Sequence, residues 1–391
     1  MDYFKECIRF DPVNHYILFT ADELQQIKKK IRRQRIADLE GSLAYLFNQP
    51  LQSVVDKKVV LPEEIDAHDY VSLATYYWPN PKTPSGLPYI SKDGMANPEG
   101  EEYDKDKLRS LSYLVYTLGI LYYLTDDTRY YDCLKKHCEV FFIDPKSRMN
   151  PNMDHAQMIK GVNTGRGIGM IDYTGNMTYA LFLLKQLQIL GYLEEDFYQQ
   201  LKHWHVDFYR WMNQSPIALQ ERYATNNHGS MYVLGCLTVA YFIDCKEDVL
   251  SYVYHMIEYH LLHQFADDGS LPQELKRTKS KSYSLMGLKA FTDFAILANQ
   301  YQIDLIDLSW YYKKIKSYIP LGVTYLKQHL IENQNWNYPQ ITVFDSATLL
   351  PLIHFSKVYL HQPIVFENNV KNGLIDDILY GLCLTLLEEN S

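Results

Sequence analysis

Two short strings bring together residue types that can neutralise a carboxylate and move a proton beside it: TNNHGSMY at 225–232 and ELKRTKSKSYSL at 274–285. In the first, Asn227 offers an amide donor and His228 a titratable imidazole. The apolar run that follows marks a helix whose free first-turn N–H groups favour an anion. The plainer alternative is that one Asn only caps the helix and His228 is an ordinary polar residue. In the second string Lys276, Arg277, Lys279 and Lys281 stand within six positions, and Tyr283 follows two residues later. Arg277 can fork onto a carboxylate, and clustered cations lower the pKa of a nearby phenol from about 10, which makes Tyr283 a candidate base. The plainer alternative here is a solvated helix start.

Other strings exclude chemistry. GRGIG at 165–169 lacks the full GxGxxG and a preceding strand, so nucleotide binding is set aside. HAQ at 155–157 has no HExxH or other metal-ligand spacing, and neither a metal nor another cofactor is expected. The six cysteines, Cys7, Cys133, Cys138, Cys236, Cys245 and Cys383, form no CxxC and no regular framework, so they are expected as reduced core thiols.

The elements that must position these groups are helical. Apolar residues recur at i, i+3, i+4 and i+7 over about 22–48, 106–126, 171–191, 194–213, 228–244, 247–265, 284–301, 305–330 and 372–389. Connectors such as TDDTR at 125–129 and FADDGSLP at 265–272 separate them, and alternating strands are scarce. The expectation is an all-α chain of antiparallel helical hairpins, one domain over 1–391, because no linker or shift of composition divides it. Two segments break the pattern, 68–104 and 144–175. Loops of that length in a compact domain are usually functional, and Tyr70, Tyr76, Tyr77, Trp78 and Tyr89 argue that the first is ordered.

A hydrophobic content of 47% suffices for a substantial core, while 38 Lys plus Arg against 47 Asp plus Glu leave a formal charge of −9. That balance argues against a general nucleic-acid or anionic-membrane surface, so any polyanion must meet a local cationic patch. The 34 tyrosines suit wet, partly apolar clefts and sugar faces as well as plain helix contacts. The start MDYFKECIRF has no basic region followed by an apolar run, and the expected location is cytoplasmic unless a signal peptide has been removed.

Four strings, HDYVSLATYYWPNPKTPSGLPYISKDGMANPE (68–99), MNPNMDHAQMIKGVNTGRGIGMI (149–171), NNHG (226–229) and DGSLPQELKRTKSKSYSL (268–285), resemble in this order the signature blocks of the alginate lyase superfamily. The resemblance spans roughly residues 65 to 345, and NNH and ELKR match outright. The spacing from Arg277 to Tyr283 is one residue shorter than in the long-known bacterial alginate lyases and looks like that of lyase family thirty-eight, which includes alginate and glucuronan lyases. The resemblance implies an (α/α) toroid, a lid at 68–104 and an acidic polysaccharide or oligosaccharide as substrate. It implies Tyr283, His228, Asn227 and Arg277 as the catalytic set. It further implies substrate contacts from Tyr76, Tyr77, Trp78, Asn152, His155, Gln157, Arg166, Glu274, Lys276 and Trp336.

Such chemistry needs these groups. Breaking a 4-O-linked uronate by β-elimination removes H5, whose acidity depends on charge passing into the adjacent carboxylate, and protonates O4. Asn227 and Arg277 would neutralise the carboxylate, and Tyr283 and His228 would carry protons. In mannuronate and glucuronate H5 and O4 share a side, so Tyr283 alone can serve as base and acid; in guluronate His228 would be the base. A glycoside hydrolase on the same toroid would instead need two cleft carboxylates, for which Asp154, Asp172 and Glu274 are available. A non-catalytic carbohydrate-binding protein would need only the aromatics.

Overall fold

The computed structural model describes residues 15–312, 316–332, 334–362 and 382; apart from Leu382, the helix expected over 372–389 lies outside the described residues, as do Cys7 and Cys383. The longer helices are α1 (Ala21–Lys30), α2 (Arg33–Leu43), α3 (Lys105–Thr125), α4 (Thr128–Cys138), α5 (Met170–Ile189), α6 (Glu195–Gln214), α7 (Asn227–Phe242), α8 (Val249–His255), α9 (Ser280–Asn299), α10 (Tyr318–Leu326) and α11 (Leu350–Val358). Four short strands, β1 (Val71–Leu73), β2 (Tyr77–Trp78), β3 (Ile90–Ser91) and β4 (His155–Met158), lie in the two long connecting segments.

The sequence sorts the helices into two layers. Helices α3, α5, α7 and α9 are apolar nearly all round and are buried nearly all round, as α7 shows with every residue from Gly229 to Phe242 buried. They pack side by side in chain order, α3 on α5, α5 on α7, α7 on α9. Helices α4, α6, α8 and α10 are one-faced. In α6 the buried residues are Phe197, Tyr198, Leu201, Trp204, His205, Phe208, Tyr209 and Met212, a single stripe at helical spacing. Each lies outside its inner neighbours, α4 on α3, α6 and α8 on α7, α10 on α9. Alternation of all-apolar inner helices with one-faced outer ones produces the expected (α/α) toroid. Each fully buried large apolar side chain contributes roughly 1.5–3 kcal/mol. Where α5 and α7 touch, a Cβ at Gly235 would collide with the Thr174 hydroxyl, so glycine sets the close approach there.

Several boundaries differ from the periodicity for local reasons. The expected helix 22–48 breaks where Ile31 and Arg32 are extended. TDDTR does more than connect: Asp126 ends α3 in the left-handed conformation, and the Asp127 side chain caps the unexpected helix α4. The helix expected from 305 begins only at Tyr318, because the Asp304 and Asp307 side chains accept from the backbone N–H groups of Ile306, Asp307 and Ser309 and hold turns instead. Of the tyrosines, Tyr16, Tyr70, Tyr113, Tyr116, Tyr173, Tyr179, Tyr198 and Tyr232 are fully buried and belong to the packed interior, not to a cleft surface. Cys133, Cys138, Cys236 and Cys245 are free thiols. No helix among the described residues is long and apolar enough to cross a membrane.

Candidate active site

The two long segments are tied together before they reach the site. Strands β1 and β4 pair in parallel, Val71 opposite His155 and Leu73 opposite Met158. Beneath them the Asp172 carboxylate, fully buried, faces the Lys105 ammonium at 2.9 Å and accepts from the Ser72 hydroxyl at 2.7 Å, the Gln157 side-chain amide at 2.7 Å and the Tyr70 hydroxyl at 3.2 Å. Burial alone would raise its pKa, but Lys105, Ser72 and Gln157 outweigh it and hold Asp172 below the usual carboxylate range. Asp172→Ala leaves the partly buried Lys105 ammonium without its charge partner and three donors unpaired. It should cost about 3–5 kcal/mol of unfolding free energy, checked by denaturant titration.

Gln157, at φ 55, receives Arg166: the guanidinium donates to the Gln157 carbonyl at 3.1 Å and to its side-chain oxygen at 3.2 Å. The same guanidinium lies 5.2 Å from the centre of the Tyr77 ring. A loop-borne cation and an aromatic of the 68–104 segment are thus held on one scaffold.

Helix α7 supplies the next groups. Asn226 is its N-cap, its side-chain oxygen accepting from the His228 N–H at 3.1 Å, which frees Asn227 for another task. Asn227 is buried and donates twice to Glu274, from its backbone N–H at 3.0 Å and its amide nitrogen at 2.9 Å. Its Oδ1 has no hydrogen-bond partner among the described residues. A side chain at Gly229 would run into the Ala224 carbonyl and the His260 ring, so glycine is what lets this helix start sit down on its supports. The His228 Nδ1 faces the Glu221 carboxylate at 3.4 Å. Sequence reasoning missed Glu221, which stands in no motif; its position seven residues before His228, across the turn that feeds the helix, is the only signal.

The third contribution comes from 274–283. Arg277 lies over the Tyr283 ring, its guanidinium carbon 3.7 Å from the ring centre. Its outer nitrogen reaches the Asp93 carboxylate at 2.6 Å, and the Tyr283 hydroxyl meets the Tyr76 hydroxyl at 2.7 Å. Glu274 is within electrostatic reach of both Arg277 and His228, which pull its pKa down against the dominant upward push of burial. Asn227, His228 and Arg277 therefore lie around Glu274, and Arg277 carries the connection on to Tyr283 and to Tyr76 and Asp93 of the 68–104 segment.

The cation cluster does not act as its spacing suggests. Lys276 is exposed, Lys279 lies against Gly94, and the Lys281 ammonium lies 6.0 Å from the Trp336 ring centre, which leaves only Arg277 on the phenol. Burial and the neighbouring Tyr76 outweigh Arg277 and push the Tyr283 pKa well above its ordinary value, the reverse of the expected lowering. Tyr283 rests as a neutral phenol.

The remaining predicted contacts divide. Tyr76 and Tyr77 border the cluster with Arg166. Glu274 and Gln157 are buried, and the polar atoms of both side chains have partners, Asn227 for the first and Asp172 and Arg166 for the second, so here they support the groups above them. Asn152 and His155 collect on Asp69, at 3.2 Å and 3.7 Å. Trp78 donates to the Met95 carbonyl at 2.8 Å with Lys92 over its ring, and Trp336 donates to the Ser280 hydroxyl at 2.8 Å, beside the start of α9. The carboxylates that hydrolysis would need are committed elsewhere: Asp172 to Lys105, Asp154 to the Trp211 indole at 2.9 Å, Glu274 to Asn227.

A family model described as Alginate lyase matches residues 53–326. An alginate lyase from Bacteroides ovatus is similar over 89% of this chain and 93% of its own, with 28% identity and a TM-score of 0.81. Alginate lyase A1-III from Sphingomonas species A1 shares the fold at 16% identity and a TM-score of 0.50, covering 91% of either chain. A variant of A1-III complexed with tetrasaccharide does so at 14% identity and a TM-score of 0.54, over 92% of this chain and 90% of its own. No curated protein matches the chain. With the family model spanning well over half of its length, and with the toroid and the gathered Asn, His, Arg and Tyr already in place, the chain belongs to the alginate lyase family of polysaccharide lyases.

Proposed function

We propose that this enzyme cleaves 1,4-linked uronate polymers, alginate with mannuronate-type linkages first among them, by β-elimination that leaves a 4,5-unsaturated uronate end. The observation that carries the proposal is the Arg277 guanidinium lying on the Tyr283 ring, since it sets a carboxylate-binding fork beside a proton carrier. The uronate carboxylate accepts from Arg277 and from the second Nδ2 hydrogen of Asn227, the first being held by Glu274, and these bonds strengthen as charge moves into it. Loss of H5 to a base sends the C5–H electron pair through that carboxylate. The C4=C5 bond forms as the C4–O4 bond breaks, and the departing O4 takes a proton from Tyr283. Segment 68–104 acts as a lid, with Tyr76, Tyr77 and Trp78 against the sugar rings, within one toroidal unit.

Tyr283 as a neutral phenol is ready as the acid. As base it must first give its proton away, and His228, whose Nδ1 faces the Glu221 carboxylate at 3.4 Å, serves as the base where H5 lies on the opposite face. The two routes separate by pH. Because kcat/KM follows the free enzyme and the Tyr283 pKa lies above 10, the tyrosinate fraction rises about tenfold per pH unit through pH 7 to 9. Activity on polymannuronate should climb at that rate if Tyr283 is the base, whereas activity on polyguluronate should lack the climb.

The experiment that tests the proposal is a screen of polymannuronate, polyguluronate, glucuronan and glycosaminoglycans, following ultraviolet absorbance of the conjugated double bond. Absorbance growing on polymannuronate supports it. Growth on glucuronan or a glycosaminoglycan alone would keep the mechanism and replace the substrate.

A further inference from the structure

The lid holds two side chains on the two groups that the proposed chemistry most needs. Tyr76 is hydrogen-bonded to the Tyr283 hydroxyl, and Asp93 spans Arg277 with both oxygens, Oδ1 at 2.6 Å from one terminal nitrogen and Oδ2 at 3.4 Å from Nε. Asp93 Oδ2 also accepts from the Thr278 N–H at 3.3 Å and from its hydroxyl at 3.0 Å. The turn carrying Asp93 is fitted to this place. Gly94 follows it at φ 77, and a Cβ there would meet the Thr278 hydroxyl and the Ile341 side chain, so the backbone lies directly on the 277–278 strand of chain. Arg277 holds the Asp93 carboxyl below the usual carboxylate range, so the occupant is charged at any pH at which the enzyme would work.

A carboxylate gripped by an Arg fork, a backbone N–H and a hydroxyl is the arrangement that a uronate carboxylate would seek at the same spot. We propose that Asp93 is an internal stand-in for the substrate carboxylate: in the free enzyme it occupies Arg277 as part of the closed lid, and a bound uronate takes Arg277 only by displacing it. This rests on the function proposed above for Arg277. The apparent affinity is then the intrinsic one reduced by the fraction of molecules in which Arg277 is vacant. If the clasp is closed nine-tenths of the time, the reduction is about tenfold. An unfilled Arg277 would be a half-buried charge without its partner beside a phenol, so the clasp also stabilises the resting site.

The test is the affinity of trimannuronate, measured by calorimetry, for Tyr283→Phe and for the double variants Tyr283→Phe/Asp93→Asn and Tyr283→Phe/Thr278→Val. Asparagine keeps the shape of Asp93 and removes its charge; valine keeps Asp93 and Arg277 and removes only the hydroxyl that helps to seat the turn. Asp93→Asn should tighten binding by about three- to tenfold, because it weakens the competitor and not the fork, and Thr278→Val by less, because the hydroxyl it removes serves Asp93 and an incoming carboxylate alike. Thermal unfolding of each variant establishes that it is folded. Unchanged or weaker binding by a folded Asp93→Asn variant would overturn the proposal and make Asp93 a positioning residue for Arg277. The lyase assignment fails separately: wild-type enzyme that forms no double bond from any uronate polymer refutes that assignment, whatever Asp93→Asn does to binding.

Discussion

Tyr283→Phe should lower turnover on every cleaved polymer by about 10² to 10⁴, the contribution ascribed to a general acid–base group, while polymer binding changes little. The substitution keeps the ring on which Arg277 lies and removes only the hydroxyl that meets Tyr76. The ring contact and Arg277's pairing with Asp93 do not depend on that oxygen, so the fork remains seated. Initial rates of double-bond formation, with binding followed separately, check this. Near-normal turnover would remove Tyr283 from proton transfer and leave His228 as the sole candidate.

His228→Ala should act on one substrate more than another. On polyguluronate, where H5 and O4 lie on opposite faces, loss of the imidazole removes the base and activity should fall by at least about 10². On polymannuronate or glucuronan, where Tyr283 can take and return the proton, part of the activity should remain. The backbone of the helix start should survive, because its cap is the Asn226 side chain and its depth is set by Gly229. The measurement is the ratio of kcat/KM on the two alginate blocks for wild type and variant. An equal loss on both would mean that His228 serves every substrate alike. Glu221 gives a graded companion: Glu221→Gln keeps a partner of similar shape 3.4 Å from the imidazole but removes the charge, and its effect should follow the substrate preference of His228→Ala.

Much of this site was visible in the sequence, and the parts that were not have definite physical reasons. The inner helices read clearly because a run such as MYVLGCLTVAYF in α7 is apolar on every side and long enough to leave no doubt of its period. Asn227, His228, Arg277 and Tyr283 stood out as candidates because their types suit one reaction and they fall at or beside helix starts. The strand pair β1 and β4 was not legible, since three or four residues carry no period and their partners are far apart in sequence. Asp93 stands in a Lys-Asp-Gly string, and nothing local connects it with Arg277, 184 positions away. The sign of the Tyr283 shift was misjudged because sequence counts cations but does not say which way they point. Three lysines splay off the turn, and burial, which spacing cannot show, decides the outcome. The partners of Glu274 and Gln157 were not legible for the same kind of reason: a polar residue inside a motif does not show which neighbours fill its hydrogen bonds.

The central claim is that the glycosidic bond is broken by elimination and not by water. Digestion of polymannuronate in heavy-oxygen water, with the oligosaccharides weighed by mass spectrometry, addresses it directly. Elimination predicts fragments whose new non-reducing ends are lighter by one water than saturated sugars, with no heavy oxygen entering at cleavage. Saturated fragments that each carry one heavy oxygen from the solvent would contradict it and return the chemistry to a pair of carboxylates.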